Sequence, residues 1–304
     1  MNIIESRGLG KRYRRTWALR DCTLGIPGGR VVALVGPNGA GKTTMLHMAV
    51  GLITPTAGAV SVLGREPAGS PEALNRIAFV AQDAPLYKNL SAADTLHLAR
   101  NLNRRWDAQR AETRLAELGI PLEKKVGKLS GGQKAQLALT VALARRPDLL
   151  VLDEPLAMLD PLARHDFLES VMAAVASDGV SVVLSSHVLA DLQKVADYLI
   201  VLSKGQMQVC GEVDDLLAGH RVLTCPAAET DGHANRTGVV HCARGGAQSH
   251  LLIRTSSPAD PLPPGWECRS PDLEEIVLAY LREPGASELP DRPAAQADIG
   301  TEMQ

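Results

Sequence analysis

The stretch Gly36-Pro37-Asn38-Gly39-Ala40-Gly41-Lys42-Thr43 constrains this chain more than any other. It fits the phosphate-loop pattern G-x-x-x-x-G-K-[ST], and its flanks fit as well. Val31-Val32-Ala33-Leu34-Val35 before it is apolar without alternation, as a strand covered on both faces of a parallel sheet should be. Residues 42–50 after it read as a helix. Glycines let backbone N–H groups converge on phosphate oxygens, and the helix start adds partial positive charge. Lys42, with Thr44 close behind it, is placed to reach β- and γ-phosphates, and the Thr43 hydroxyl is placed to bind Mg²⁺.

The remaining pattern agrees with a layered α/β chain. Short strands are expected near 59–63 and 77–81, and two helices between 92 and 118 with a break at Trp106-Asp107. A helix is expected over 131–145, and buried strands at 149–152 and 181–184 flank a helix over 161–177 that opens on Pro161. Strands alternating with helices point to a doubly wound α/β core. The texture changes near residue 219. Prolines, glycines and small polar residues there separate weak strand candidates at 221–224, 237–241 and 250–254. A short amphipathic helix over 272–282 follows, giving a small α+β unit over 219–283. Residues 284–304 are rich in Pro, Ala, Glu and Asp and read as a disordered tail.

Bulk properties narrow the function classes. The formal net charge is −2, so nothing favours a polyanion partner through overall electrostatics. The cluster Lys11, Arg12, Arg14 and Arg15 reads as a solvated turn. Five cysteines form no C-x-x-C pair and read as reduced thiols, not a disulfide frame or zinc site. No window approaches 18 consecutive apolar residues, and the first residues do not read as a secretory signal. A membrane role would therefore have to come through a partner.

Two further acids complete the chemistry. Asp153-Glu154 ends the expected strand at 149–152, where open parallel sheets place their ligands. Asp153 suits the Mg²⁺ shell, and Glu154 suits the orientation or deprotonation of an attacking water. Gln82 follows the strand at 77–81, and its amide oxygen could meet the metal or that water; most such glutamines are surface residues. His187 follows Ser185-Ser186 at the end of the third strand, where a histidine is more often a helix-start residue than a catalytic one. Leu129-Ser130-Gly131-Gly132-Gln133 opens a second Gly-rich helix start. Ser130 is a good N-cap, but each glycine costs a helix about 1 kcal/mol against alanine. An ordinary capped helix accounts for Ser130 and leaves the two glycines unexplained.

Together these segments resemble the ATPase subunit of ATP-binding cassette (ABC) transporters over about residues 3–215. Leu129–Gln133 is identical to the family signature, and Gln82, Val151-Leu152-Asp153-Glu154-Pro155, Leu159-Asp160 and His187 occur in family order. The resemblance implies a P-loop NTPase fold over 1–218 with a RecA-like parallel-sheet lobe, antiparallel β elements and a helical subdomain at about 83–145. It implies that two such subunits pair head to tail, each ATP lying between the P-loop of one and the signature of the other. Residues 36–44 would then hold ATP from one side and Ser130, Gly131, Gly132 and Gln133 from the other. By the same resemblance Tyr13 stacks on adenine, Gln82 contacts Mg²⁺ and signals to a membrane partner, His187 contacts the γ-phosphate and Asp160 couples the two sites. Glu154, His187 and Gln82 are the catalytic candidates; Thr43, Gln82 and Asp153 are the metal candidates.

The implied cofactors are ATP and Mg²⁺. The implied partners are a transmembrane permease and a second ATPase subunit, identical or paired, with the protein peripheral on the cytoplasmic face of the membrane. The segment Leu273–Leu278 is similar to the ends of export-type subunits, including those of drug and antibiotic efflux systems. Ala157-Met158 departs from the usual small-polar pair before Leu159-Asp160, and Lys134-Ala135-Gln136 lacks the arginines common after the signature. Neither removes a catalytic group. The alternative is a soluble cassette ATPase acting on DNA or ribosomes, which would bring a long coiled coil, zinc modules or tandem cassettes, and none is seen. A GTPase would need Asn-Lys-x-Asp, which is absent.

Overall fold

A computed structural model describes residues 2–83, 85–232, 238–255, 264–283 and 286. The expected tail at 284–304 lies outside them apart from Ala286. The chain opens with two long strands, β1 (Asn2–Tyr13) and β2 (Thr16–Pro27), followed by β3 (Val31–Val35), α1 (Lys42–Ala49) and β4 (Ala57–Val62). Then come α2 (Pro71–Arg76), β5 (Ile77–Val80), α3 (Ala92–Leu102), α4 (Ala108–Glu117), α5 (Gly131–Ala144) and β6 (Leu149–Leu152). The next stretch holds α6 (Pro161–Asp178), β7 (Ser181–Ser186), α7 (Leu189–Leu192), β8 (Tyr198–Ser203), β9 (Gln206–Glu212) and α8 (Val213–Ala218). The last holds β10 (His220–Pro226), β11 (Val239–Gly245), β12 (Gln248–Arg254), β13 (Glu267–Arg269) and α9 (Leu273–Arg282).

Among the described residues these strands form three sheets, ordered β2-β1-β4, β5-β6-β7-β3-β8-β9 and β11-β12-β10-β13. The middle sheet is parallel from β5 to β8, and only its edge strand β9 runs antiparallel. The unbroken apolar runs are what this sheet requires, because alternate residues feed different cores. Val31, Ala33, Val35, Leu150, Leu152, Val182 and Leu184 face the core shared with α5 and α6. Val32, Leu34, Leu149, Val151 and Val183 face the core shared with α1 and the β1–β2 hairpin. A polar residue at either set would lose the burial of a core side chain, roughly 1.5–3 kcal/mol.

The helical segment has a core of its own. Ala92, Leu96, Ala111, Leu115, Ile120, Val126, Leu129, Leu137 and Ala144 pack together, so α3 and α4 lean on α5. Leu129, the first residue of the signature, is buried there and anchors the loop that precedes α5. The weak strand candidates beyond 219 are strands, at 220–226, 239–245 and 248–254. Val222, Val240, Leu252, Ile276, Val277 and Tyr280 belong to the same cluster as Leu199, Val201 and Leu216, so the C-terminal unit shares the core of the preceding lobe. The hairpins β1–β2 and β8–β9 are the elements that pattern reading passes over. β1 carries register shifts and glycines that break its alternation.

Candidate active site

Sheet register assembles the site. Val35 pairs with Ser186, Leu152 with Leu184 and Val80 with Leu152, so the carboxyl ends of β5, β6, β7 and β3 lie side by side. Each candidate group leaves the sheet at this edge. The loop 36–41 follows β3, Asp153-Glu154 follows β6, His187 follows β7 and Gln82 lies in the turn after β5.

The loop is held by close backbone approaches. A Cβ on Gly36 would lie 2.2 Å from the Leu202 carbonyl oxygen, and one on Gly41 would lie 2.6 Å from that of Ala18. Gly41 also has φ 105°, a conformation glycine adopts readily. The loop is thus wedged between β8 and β2, and Gly205 donates to the Ala40 carbonyl at 3.1 Å. α1 starts at Gly41 with no side-chain cap and no acid in its first turn. Its first N–H groups therefore have no helical partner and point out as an anion site. Pro37, Asn38 and Gly39 are exposed and Ala40 is buried beneath them.

Lys42 is buried, and its Nζ donates to the Gly36 carbonyl at 2.7 Å and lies 3.1 Å from Glu154 Oε1. Glu154 Oε1 is nonetheless without a well-directed hydrogen bond, so that approach is a charge contact. The other carboxylate oxygen, Oε2, lies 2.7 Å from His187 Nδ1. An ionised carboxylate there favours the tautomer with its proton on Nδ1. The structure thus joins Lys42, Glu154 and His187 into one line across three strand ends. His187 is half-exposed at the outer end of the line, while Glu154 is almost wholly buried. Such a line can hold a water at the carboxylate and place positive charge beside a phosphate, which is what in-line attack on a phosphoryl group needs.

Asp153 is buried, with its N–H donating to the Val80 carbonyl at 2.9 Å and its Oδ1 accepting from the Ser185 hydroxyl at 2.7 Å. Thr43 is exposed at the start of α1. One hydroxyl and one carboxylate suit Mg²⁺, which keeps waters and takes phosphate oxygens in place of a full protein cage. Among the described residues no group of three or more acids, histidines or cysteines is gathered to bind a metal on its own. Gln82 is exposed, and among the described interactions no hydrogen bond joins it to Asp153 or Glu154.

The signature lies elsewhere. Ser130 caps α5 in a reciprocal box: its hydroxyl accepts from the Gln133 N–H at 3.2 Å, and Gln133 Oε1 accepts from the Ser130 N–H at 3.2 Å. The box occupies two of the helix-start donors and leaves the N–H groups of Gly131 and Gly132 in the uncapped first turn. Lys124 Nζ reaches Gln133 Oε1 at 3.4 Å. Among the described interactions no hydrogen bond or ion pair joins residues 129–133 to the loop at 36–44. One expectation changes here, because Gly132 has a packing reason: a Cβ on it would sit 3.0 Å from that of Ala163 on α6. Gly131 has no such reason, its nearest neighbour being the Met158 carbonyl at 3.5 Å.

Asp160 caps α6, accepting from the Ala163 N–H at 2.9 Å, and is exposed. Tyr13 ends β1, 49% exposed, with Lys11 Nζ 5.6 Å from its ring centre. The hairpin that carries it is tied to the phosphate loop through Ala18 and Leu19. Pattern reading missed Ser185, whose only signal is a hydroxyl at the end of an apolar run. The five cysteines form no disulfide, and burial pushes the Cys22 thiol up to about 11.

A family model described as ABC transporter matches residues 19–157. The chain is 32% identical over 222 residues to the lantibiotic transport ATP-binding protein SrtF of Streptococcus pyogenes, covering 70% of this chain and 92% of that one. It is 32% identical over 289 residues to the molybdenum import ATP-binding protein ModC of Mycobacterium tuberculosis, covering 88% and 76%. A dimeric post-hydrolysis ATP-binding cassette bound to ADP and Pi superposes with a TM-score of 0.61 at 25% identity, covering 69% of this chain and 98% of that one.

Proposed function

The chain belongs to the family of ABC transporter ATP-binding proteins, and on that premise we propose that it hydrolyses ATP in head-to-tail pairs to drive a separate transmembrane permease. The observation that carries the reading is the separation of two anion sites in one chain. One is the uncapped start of α1 beside Lys42 and Glu154; the other is the start of α5, whose capping box leaves the Gly131 and Gly132 N–H groups over. A nucleotide held by the first needs a second wall over its γ-phosphate, and a second copy supplies one.

In this reading Lys42 and the N–H groups of 39–44 hold the phosphates, and Tyr13 stacks on adenine. Thr43 and Asp153, with Gln82 completing the shell, would hold Mg²⁺, which when bound neutralises charge between the β- and γ-phosphates. Glu154 takes the proton of the attacking water, and His187 orients it and meets the γ-phosphate. Ser130, Gly131, Gly132 and Gln133 of the second copy close over the transferring group, and Asp160 links the two sites. Loss of one phosphate-stabilising donor costs about 3 kcal/mol of barrier, roughly a hundredfold in rate. No helix among the described residues is long and apolar enough to cross a membrane. A permease docked on the helical segment would hold the protein on the cytoplasmic face of the membrane. The two relatives' names run to lantibiotic transport and to molybdenum import; the C-terminal helix, similar to those of export-type subunits, favours export.

The test is co-purification with the membrane protein encoded alongside, scored by ATP turnover. Ser130→Arg is expected to abolish turnover while monomers still bind ATP. Full turnover by a monomeric Ser130→Arg sample would refute the paired reading.

A further inference from the structure

Three serines lie in β7, and only one of them meets the acids at the end of β6. Ser181 accepts from the Gly29 N–H, and the Ser186 hydroxyl is engaged with the Val188 backbone. Ser185 is wholly buried at 0% exposure, and its hydroxyl works in both directions. It donates to Asp153 Oδ1 at 2.7 Å and accepts from the Glu154 N–H at 2.8 Å.

The backbone explains why a hydroxyl is needed at that point. Asp153 still belongs to the ladder, its N–H bonded to Val80. Glu154 does not: its φ is 47°, in the left-handed region that residues with a Cβ seldom adopt. That turn takes the Glu154 N–H off the ladder and sends the side chain toward Lys42 and His187. The N–H is buried after the turn and must find a partner. Ser185 is that partner, and its own proton goes to Asp153 Oδ1, which ties both acids to one hydroxyl.

We propose that Ser185 is a positioning residue for ATP hydrolysis, one hydroxyl that sets Asp153 toward the metal and Glu154 toward the water. This rests on the ATPase reading above. The group must donate and accept at once in a site closed to water. Threonine can do so, cysteine does so weakly, and alanine leaves a buried N–H and a buried carboxylate oxygen unpaired.

The test uses the full chain and two readouts: steady-state ATPase titrated with Mg²⁺, and binding of a fluorescent ATP analogue with and without Mg²⁺. For Ser185→Ala, kcat is expected to fall about tenfold or more, the equivalent of one hydrogen bond to a charged group, while the KM for ATP stays within about threefold. The Mg²⁺ concentration for half-maximal rate, and for half-maximal enhancement of nucleotide binding, should rise severalfold. Ser185→Thr should recover both, and Ser185→Cys should resemble alanine while keeping the volume filled. If the alanine variant fails to fold, the cysteine and threonine pair decides. A folded Ser185→Ala or Ser185→Cys with wild-type kcat and Mg²⁺ dependence would overturn the proposal. So would Ser185→Thr impaired as badly as alanine, since packing alone would then account for the site. A wild-type chain that binds nucleotide without hydrolysing it would sink the ATPase reading, and the Mg²⁺ dependence of binding would still decide the role of Ser185.

Discussion

Lys42 and Glu154 face each other in a buried space, and that contact sets what Glu154→Gln should do. A buried cation keeps its charge only with a counter-charge near it. Neutralising Glu154 leaves Lys42 seeking an anion, and a phosphate is the one the loop is shaped to receive. Glu154→Gln should therefore tighten ATP binding, by about tenfold if it shifts the balance by ~1.4 kcal/mol, while hydrolysis falls at least a hundredfold. Titration calorimetry beside a turnover assay reads both numbers. Weaker binding than wild type would show that Glu154 assists the lysine and does not compete for it. Lys42→Ala should lose affinity in the same titration. The loop was legible in the sequence from its G-x-x-x-x-G-K-[ST] spacing, and the acid pair from its place at the end of an apolar strand. The line from Lys42 through Glu154 to His187 was not, since it depends on the strand order β6-β7-β3, which no local pattern encodes. Ser185 was hidden for the same reason: its partner lies 32 residues upstream in the chain.

At the scale of elements, the two glycines of the signature have different surroundings. Gly132 touches α6, while Gly131 faces open space except for the Met158 carbonyl. Gly131→Ala should keep or raise the melting temperature, since alanine favours helix by up to about 1 kcal/mol over glycine. It should nonetheless lower ATPase activity, because the added methyl crowds the face proposed to close over the phosphate. Gly132→Ala should lower both. Equal activity in Gly131→Ala and wild type would leave that glycine without a role. The C-terminal helix is secured by a different device. His220 is buried, with Nδ1 2.7 Å from the Leu216 carbonyl and Nε2 3.0 Å from the Tyr280 hydroxyl. Burial, aided by the Arg254 charge, holds its pKa below the usual histidine value of 6.5. The unfolded chain then binds the proton more readily, so the stability His220 contributes is present above about pH 6.5 and is lost as pH falls below it. Denaturant midpoints at pH 7.5 and 5.5 should differ more for wild type than for His220→Gln. A pH dependence unchanged in that variant would contradict the assignment. The helix itself was readable from its amphipathic pattern, and Asp272 caps it. The hairpins β1–β2 and β8–β9 were not, because bulges and a pair of strands so close in sequence blur the alternation.

On the scale of the molecule, the P-loop and the signature are two helix starts that no described interaction joins. The shared core ties β10–β12 and α9 to the parallel sheet, and α5 lies in two cores at once, packing on that sheet through Leu139 and Leu143 and on α3 and α4 through Leu137. Pairing is the arrangement that gives both halves work. Mixing two inactive variants tests this most directly. A pair formed from Lys42→Ala and Ser130→Arg chains gathers both defects in one site and leaves the other site intact. Equimolar mixing of the two should restore about a quarter of wild-type turnover for random pairing of independent sites. Mixed dimers that form and yet hydrolyse no more ATP than the two variants do separately would contradict the account.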